Sequence, residues 1–204
     1  TNPMSRGRIA RWMLEETGAP YRTVVLDYGA PMKSAEFLAV NPMGKVPALV
    51  HGHRVVTESA AICAYLADAF PETGLAPPPA ERGAYYRWLF FAAGPVEAAV
   101  TNKALGFDVP SDRKPMAGYG SLGDVLGALE TAVSVDGFIA GERFTAADVY
   151  VGSQIGWGLQ FGTMEPRPAF QAYWSKVSER PAYARANALD DALLVSPAAS
   201  GPSA

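Results

Sequence analysis

The chain has 204 residues, 49% of them apolar and 18% charged. That is enough apolar material to core one large domain or two small ones, and it excludes a disordered chain. A net charge of -3 gives no electrostatic reason for nucleic acid or an anionic membrane surface to be the main partner. The single cysteine, Cys63, leaves no internal disulfide and suits a reducing compartment.

In chain order, SRGRIARWMLEETGAP predicts a helix. Ser5 is its N-cap, Ile9, Trp12 and Met13 share a face, and Gly18 and Pro20 are stop signals. YRTVVLDY (21–28) is apolar and β-branched and predicts a strand. PMKSAEFLAVNP predicts a short helix stopped by Asn41-Pro42. VPALV (46–50), the turn HGH and RVVTE (54–58) predict a hairpin. SAAICAYLADAF sets Ile62, Tyr65, Leu66, Ala69 and Phe70 at helical spacing. The opening TNPMSRGR lacks the apolar core of a secretory signal and begins turn-like. We expect a short strand ahead of Thr1, giving the order (β)αβαββα.

PETGLAPPPA breaks all periodicity and reads as a linker. Beyond it the pattern is helical throughout: a long aromatic-rich helix from ERGAYYRWLFF onward, then SLGDVLGALETAVS, TAADVYVGSQIGWGLQF, and AFQAYWSKVSERPAYARANALD, broken near Pro181. The tail SPAASGPSA predicts disorder. The expected division is an α/β domain over 1–72, a linker over 73–81 and an all-helical domain over 82–204. No run of about 18 apolar residues reads as a membrane span.

Two short stretches carry chemistry. In NPMGKVPALV, Pro47 opens a strand, although proline cannot donate to a ladder. An ordinary trans proline at a strand start is one reading. In the other, a cis Val46-Pro47 bond turns the Val46 backbone groups outward, where an extended peptide pairs with them by strand addition. In TESAAI, Ser59 stands at a helix start, whose free N–H groups and dipole favour a carboxylate, and Glu58 beside it suits an ammonium group. The alternative there is a plain helix start. The hairpin brings both stretches to one end of the sheet, so a ligand touching both is a short peptide with a free α-amino acid end. Cys63 lacks a C-x-x-C partner and sits among apolar residues, so it does not read as a redox thiol. His51 and His53 read as hairpin residues without a third metal ligand, and no metal is expected.

NPMGKVPALV, VVTESAAICAYL, the Pro-rich linker and the aromatic helical half together resemble the cytosolic glutathione transferases, of bacterial type. GERFTAADVYVG (141–152) adds to this: Thr145 and Asp148 form a capping box and Phe144 staples against Val149 or Tyr150. The resemblance implies a thioredoxin-like domain followed by a helical-bundle domain, with glutathione as co-substrate. It implies that Val46 pairs with the cysteinyl part, that Pro47 is cis, and that Glu58 and Ser59 hold the γ-glutamyl end. Lys45 or Lys33 would reach the glycine carboxylate. The catalytic position falls in TNPMSRGR, which has no Tyr or Cys. Ser5 fits the serine-using pattern, with Asn2 and Thr1 as alternatives in a register ambiguous by about one residue and with Arg6 assisting. Ser5 as a plain N-cap is the other reading. The implied activity is conjugation of glutathione to small hydrophobic electrophiles by a cytoplasmic homodimer. The competing implications are a non-catalytic partner-binding module and glutathione-dependent reduction or isomerisation.

Overall fold

The computed structural model describes residues 1–195. Residues 196–204, where the sequence predicts a disordered tail, lie outside the described residues. Helix α1, Gly7–Thr17, buries Ile9, Trp12 and Met13 and ends at Gly18, whose left-handed backbone lets its N–H reach the Leu14 carbonyl. Its N-cap is Arg6, where the sequence pointed to Ser5. The Ser5 hydroxyl still accepts the Gly7 N–H at 2.9 Å, so it serves the helix start from one position earlier.

The stretch 21–28 is extended but is not a strand. Thr1 N donates to Val24 O at 2.7 Å and Leu26 N to Thr1 O at 2.8 Å, the bond pair of a parallel neighbour. Thr1 and Asn2 are its partners among the described residues, and Val24 and Val25 are 54% and 41% exposed. β-Branched propensity without a paired neighbour does not make a sheet.

A 3-10 turn at Ala30–Lys33 leads into α2, Ala35–Val40, capped by the Ser34 hydroxyl. Strands β1, Ala48–His51, and β2, Arg54–Thr57, form an antiparallel hairpin with Ala48 opposite Thr57 and His51 opposite Arg54. Helix α3, Ser59–Ala69, follows. The Pro-rich stretch is anchored at its centre: Leu75 is buried and its carbonyl accepts the Ala146 N–H at 2.8 Å.

The helical half contains α4, Gly83–Phe91, α5, Glu97–Ala104, α6, Leu122–Val133, α7, Ala146–Gln160, α8, Pro168–Ser178, and α9, Pro181–Val195. Helices α4 and α5 join through a π-helical segment, Ala92–Val96, with Pro95 inside it. Proline lacks the N–H and crowds the preceding turn, and a one-turn π-bulge accommodates it. Helix α7 is buried on nearly all sides and packs against α1, α3, α4 and α8, as a central core helix does. Its first turn is fixed by Asp148, fully buried, whose carboxylate accepts the N–H groups of Thr145 (2.8 Å) and Ile139 (2.9 Å) and the hydroxyls of Thr145 (3.0 Å) and Tyr173 (2.7 Å). This is the capping box read in the sequence, extended to two further donors.

The two halves are joined by charge as well as by apolar packing. Arg180 grips Glu16 with two bonds of 2.7 Å, and Glu16 also accepts Trp12 Nε1. Arg11 lies 2.9 Å from Asp190 with both side chains buried, an ion contact too far off line to be a hydrogen bond to either Asp190 oxygen.

Candidate functional site

The loop 41–47 and the start of α3 meet at one end of the hairpin. They face the helical half across a cleft of about 250 Å³. The α/β wall is built by Asn41, Lys45, Val46, Pro47, Glu58 and Ser59, with Arg6 entering from the N-terminus of α1. Ala93, Glu97 and Tyr150 form the opposite wall.

The loop is held by Asn41, which is buried. Its Nδ2 donates to Lys45 O at 2.7 Å, and its Oδ1 accepts the Met43 N–H at 3.1 Å. That is an Asx-type turn. Gly44 completes it at φ 58, where an added Cβ would lie 2.5 Å from the Met32 carbonyl oxygen. The loop delivers a cis Val46-Pro47 peptide. Among the described residues, the Val46 N–H and C=O have no hydrogen-bond partner, so both are available on the cleft wall.

Glu58 has φ 63 and ψ 120, the one non-glycine residue with positive φ among those described. Such a conformation costs on the order of 1–3 kcal/mol and persists where the surroundings force it. Glu58, not Ser59, is therefore the N-cap of α3, and its carbonyl accepts the Ile62 N–H at 2.9 Å. Ser59 becomes the first helical residue: its side chain stays beside the free N–H groups, while the strained cap turns the Glu58 side chain outward. The Glu58 side chain is exposed, and Ser59 is buried at the cleft wall. Lys45 is exposed at the same wall. Lys33 instead donates to the Met43 carbonyl at 2.8 Å, bracing the loop.

Ser5 stands apart from this group. Its hydroxyl donates to Asn2 O at 2.6 Å, and Ser5 does not line the cleft. Asn2 is buried and tied to Leu26 O. The α1 residue that does line the cleft is Arg6, whose Nη2 lies 2.9 Å from Glu97 Oε1. The second Glu97 oxygen accepts the Tyr150 hydroxyl at 3.0 Å. Burial first, and then the Glu97 charge, push the Tyr150 phenol well up, so it remains a proton donor to Glu97. Gln154, one turn further along α7, is buried with its Nε2 unpartnered.

Asn41, Ala93, Glu97 and Tyr150 were not legible as site residues. Pro95, inside the π-segment Ala92–Val96 that leads into Glu97, was a local signal of irregular helix there. The aromatic run YYRWLFF contributes nothing to the cleft. Tyr85, Trp88 and Leu89 are core, while Tyr86 and Phe90 are exposed elsewhere. His51 packs on Tyr65 and Phe70. Among the described residues, no group of three His, Cys, Asp or Glu side chains is placed to hold a metal, and no helix is long and apolar enough to cross a membrane.

Comparison with known proteins identifies the family. Residues 4–69 match the family model for the glutathione S-transferase N-terminal domain, and residues 108–181 match that for the C-terminal domain. The chain is 30% identical to glutathione S-transferase F10 of Arabidopsis thaliana over 195 residues, covering 86% of this chain and 88% of that protein. It is also 30% identical to glutathione S-transferase GstA of Escherichia coli O157:H7, with 82% and 86% covered. A sphingomonad glutathione S-transferase solved in complex with glutathione superposes with a TM-score of 0.74 at 29% identity, over 94% of this chain and 97% of that one. With a thioredoxin-like N-terminal half, an all-helical C-terminal half and relatives matched along most of its length, the chain belongs to the glutathione S-transferase family of enzymes.

Proposed function

We propose that this chain transfers the thiolate of glutathione to small apolar electrophiles. The observation that carries the reading is the convergence of unpaired Val46 backbone groups, the outward Glu58 carboxylate and the Ser59 hydroxyl on one cleft wall. A γ-Glu-Cys-Gly tripeptide supplies the complement of each. Its cysteinyl backbone pairs with Val46, its α-ammonium group meets Glu58, and its γ-glutamyl carboxylate meets Ser59 and the first N–H groups of α3. Lys45 takes the glycine carboxylate. In this reading residues 1–72 are the glutathione-binding unit, 82 onward supplies the electrophile wall, and the enzyme works as a cytoplasmic homodimer.

The chemistry asks for a favoured anion and no side-chain base. A thiol of pKa near 8.5 is only a few per cent ionised at about pH 7. Lowering it by about 2 units takes roughly 2.7 kcal/mol. A charge-assisted hydrogen bond of about 1.5–3 kcal/mol together with a helix N-terminus suffices. Ser5 supplies that hydrogen bond if its hydroxyl leaves Asn2 O for the thiolate, beside the N-terminus of α1; Arg6 at the same helix end is already paired with Glu97. Proximity to the electrophile does the rest.

The present direction of the Ser5 hydroxyl favours a second reading, a partner-binding module without transfer chemistry. Calorimetric titration with glutathione, with ultraviolet difference spectra of the bound thiol against pH, separates the two. Binding with a lowered thiol pKa in wild type and not in Ser5→Ala supports the transferase with Ser5 as donor. A lowered pKa in both moves the donor role to the helix backbone. Absence of binding tighter than about 1 mM, near −4 kcal/mol, overturns the transferase and leaves the module.

A further inference from the structure

The wall opposite the proposed glutathione subsites is not the aromatic surface that the sequence suggests for an apolar co-substrate. It is Ala93, Glu97 and Tyr150, with the Arg6 guanidinium reaching across to Glu97. Both Glu97 oxygens are engaged once, one by Arg6 at 2.9 Å and one by Tyr150 at 3.0 Å. A carboxylate oxygen has room for a second donor. Arg6 is neutralised where it stands, so the group left facing an incoming molecule is an acceptor with negative character. Tyr150 is already spent as a donor.

Resting on the transferase reading above, we infer that Glu97 is a specificity residue: it selects electrophiles whose apolar body carries a neutral hydrogen-bond donor, such as a hydroxyl or a primary amide, and rejects anionic ones. A donor group binds the free acceptor position on Glu97 without disturbing Arg6 or Tyr150. A carboxylate meets like charge in a confined cleft, and it gains Arg6 only by breaking the pair with Glu97. The clamp of Val46, Glu58 and Ser59 is untouched by this choice, because it belongs to the opposite wall.

The probes are 4-chloro-3-nitrobenzamide and 4-chloro-3-nitrobenzoate. Both undergo the same substitution: the glutathione sulfur bonds to the chlorine-bearing carbon, the C–Cl bond breaks, chloride leaves with the electron pair, and the thiol proton goes to solvent. Each kcat/KM is divided by the uncatalysed rate constant with glutathione, so that only the protein's contribution remains. Wild type is expected to favour the amide by about tenfold: the amide gains a hydrogen bond to the Glu97 carboxylate that the benzoate cannot make, and the paired Arg6 offsets only part of the like-charge repulsion. Glu97→Gln is expected to erase most of this preference by raising the benzoate value, with glutathione affinity by calorimetry unchanged. Rising salt is expected to relax benzoate rejection in wild type and to leave the amide unmoved; that measurement decides the matter if the variant fails to fold. An unchanged ratio in Glu97→Gln, or equal loss of both substrates together with glutathione affinity, overturns the inference while leaving the transferase in place. Wild type that neither binds glutathione nor turns over either probe overturns the transferase reading and this inference with it.

Discussion

Replacing Asp148 by alanine tests the account of the fold most severely. The side chain is fully buried and accepts four hydrogen bonds of 2.7–3.0 Å from Ile139, Thr145 and Tyr173. All three partners are at most 5% exposed, so water does not readily replace the carboxylate. Each orphaned buried donor costs about 1–3 kcal/mol. Relief of carboxylate burial, which pushes the Asp148 pKa up against its donors, offsets part of the sum. A net loss of about 4 kcal/mol follows, against a total stability of about 5–15 kcal/mol for a native protein. With a urea m-value near 2 kcal/mol/M, the midpoint falls by about 2 M. Tryptophan fluorescence in urea, at fixed protein concentration, reads it. Asp148→Asn keeps one acceptor oxygen and is expected to lose about half as much. A midpoint shift below about 0.5 M in Asp148→Ala, at unchanged m, would refute the reasoning, since the donors would then have other partners.

Glu58→Ala removes the proposed ammonium partner and is expected to weaken glutathione binding about ten- to a hundredfold, the worth of a charge-assisted bond; calorimetry showing unchanged affinity would remove Glu58 from the clamp. Asp190→Ala leaves Arg11 buried without its counter-charge and is expected to cost about 3–5 kcal/mol in urea unfolding, with a loss under about 1 kcal/mol counting against a buried ion pair at the α1–α9 contact. Burial raises the pKa of the Cys63 thiol and of the Tyr85, Tyr150 and Tyr173 phenols. The folded state therefore holds these protons longer than the unfolded chain does. Stability is complete below the ordinary thiol value of 9.0 and falls as pH rises above it, by up to about 1.4 kcal/mol per pH unit for each group titrating only when unfolded. A urea midpoint that is flat from neutral to strongly alkaline pH would contradict this. Cys63 is also expected to react with Ellman's reagent only after denaturation, and rapid native labelling would show that the helix α3 core opens.

Periodicity and punctuation made most helices readable without any structure. Ile9, Trp12 and Met13 repeat at helical spacing, Gly18 stops α1, Pro181 separates α8 from α9, and Thr145 with Asp148 announces α7. These are local signals, set within one or two turns. That Val46-Pro47 and Glu58-Ser59 lie on one cleft wall was legible for the same reason: they are short neighbouring stretches joined by one hairpin. The reading failed where the outcome depends on distant partners. YRTVVLDY has strand propensity and is extended, but a strand is a pairing, and Thr1 and Asn2 are its neighbours here. Ser5 remains the proposed thiol donor, but which residue at the start of α1 lines the cleft is a tertiary outcome: the Ser5 hydroxyl donates to Asn2 O and Arg6 reaches the cleft. Glu97 and Tyr150 are 53 residues apart and meet Arg6 through tertiary packing that sets α5 and α7 beside the start of α1. One wall of the cleft was written in contiguous sequence, and the other was decided by how helices pack, since a charge contact between domains leaves no local pattern in the chain.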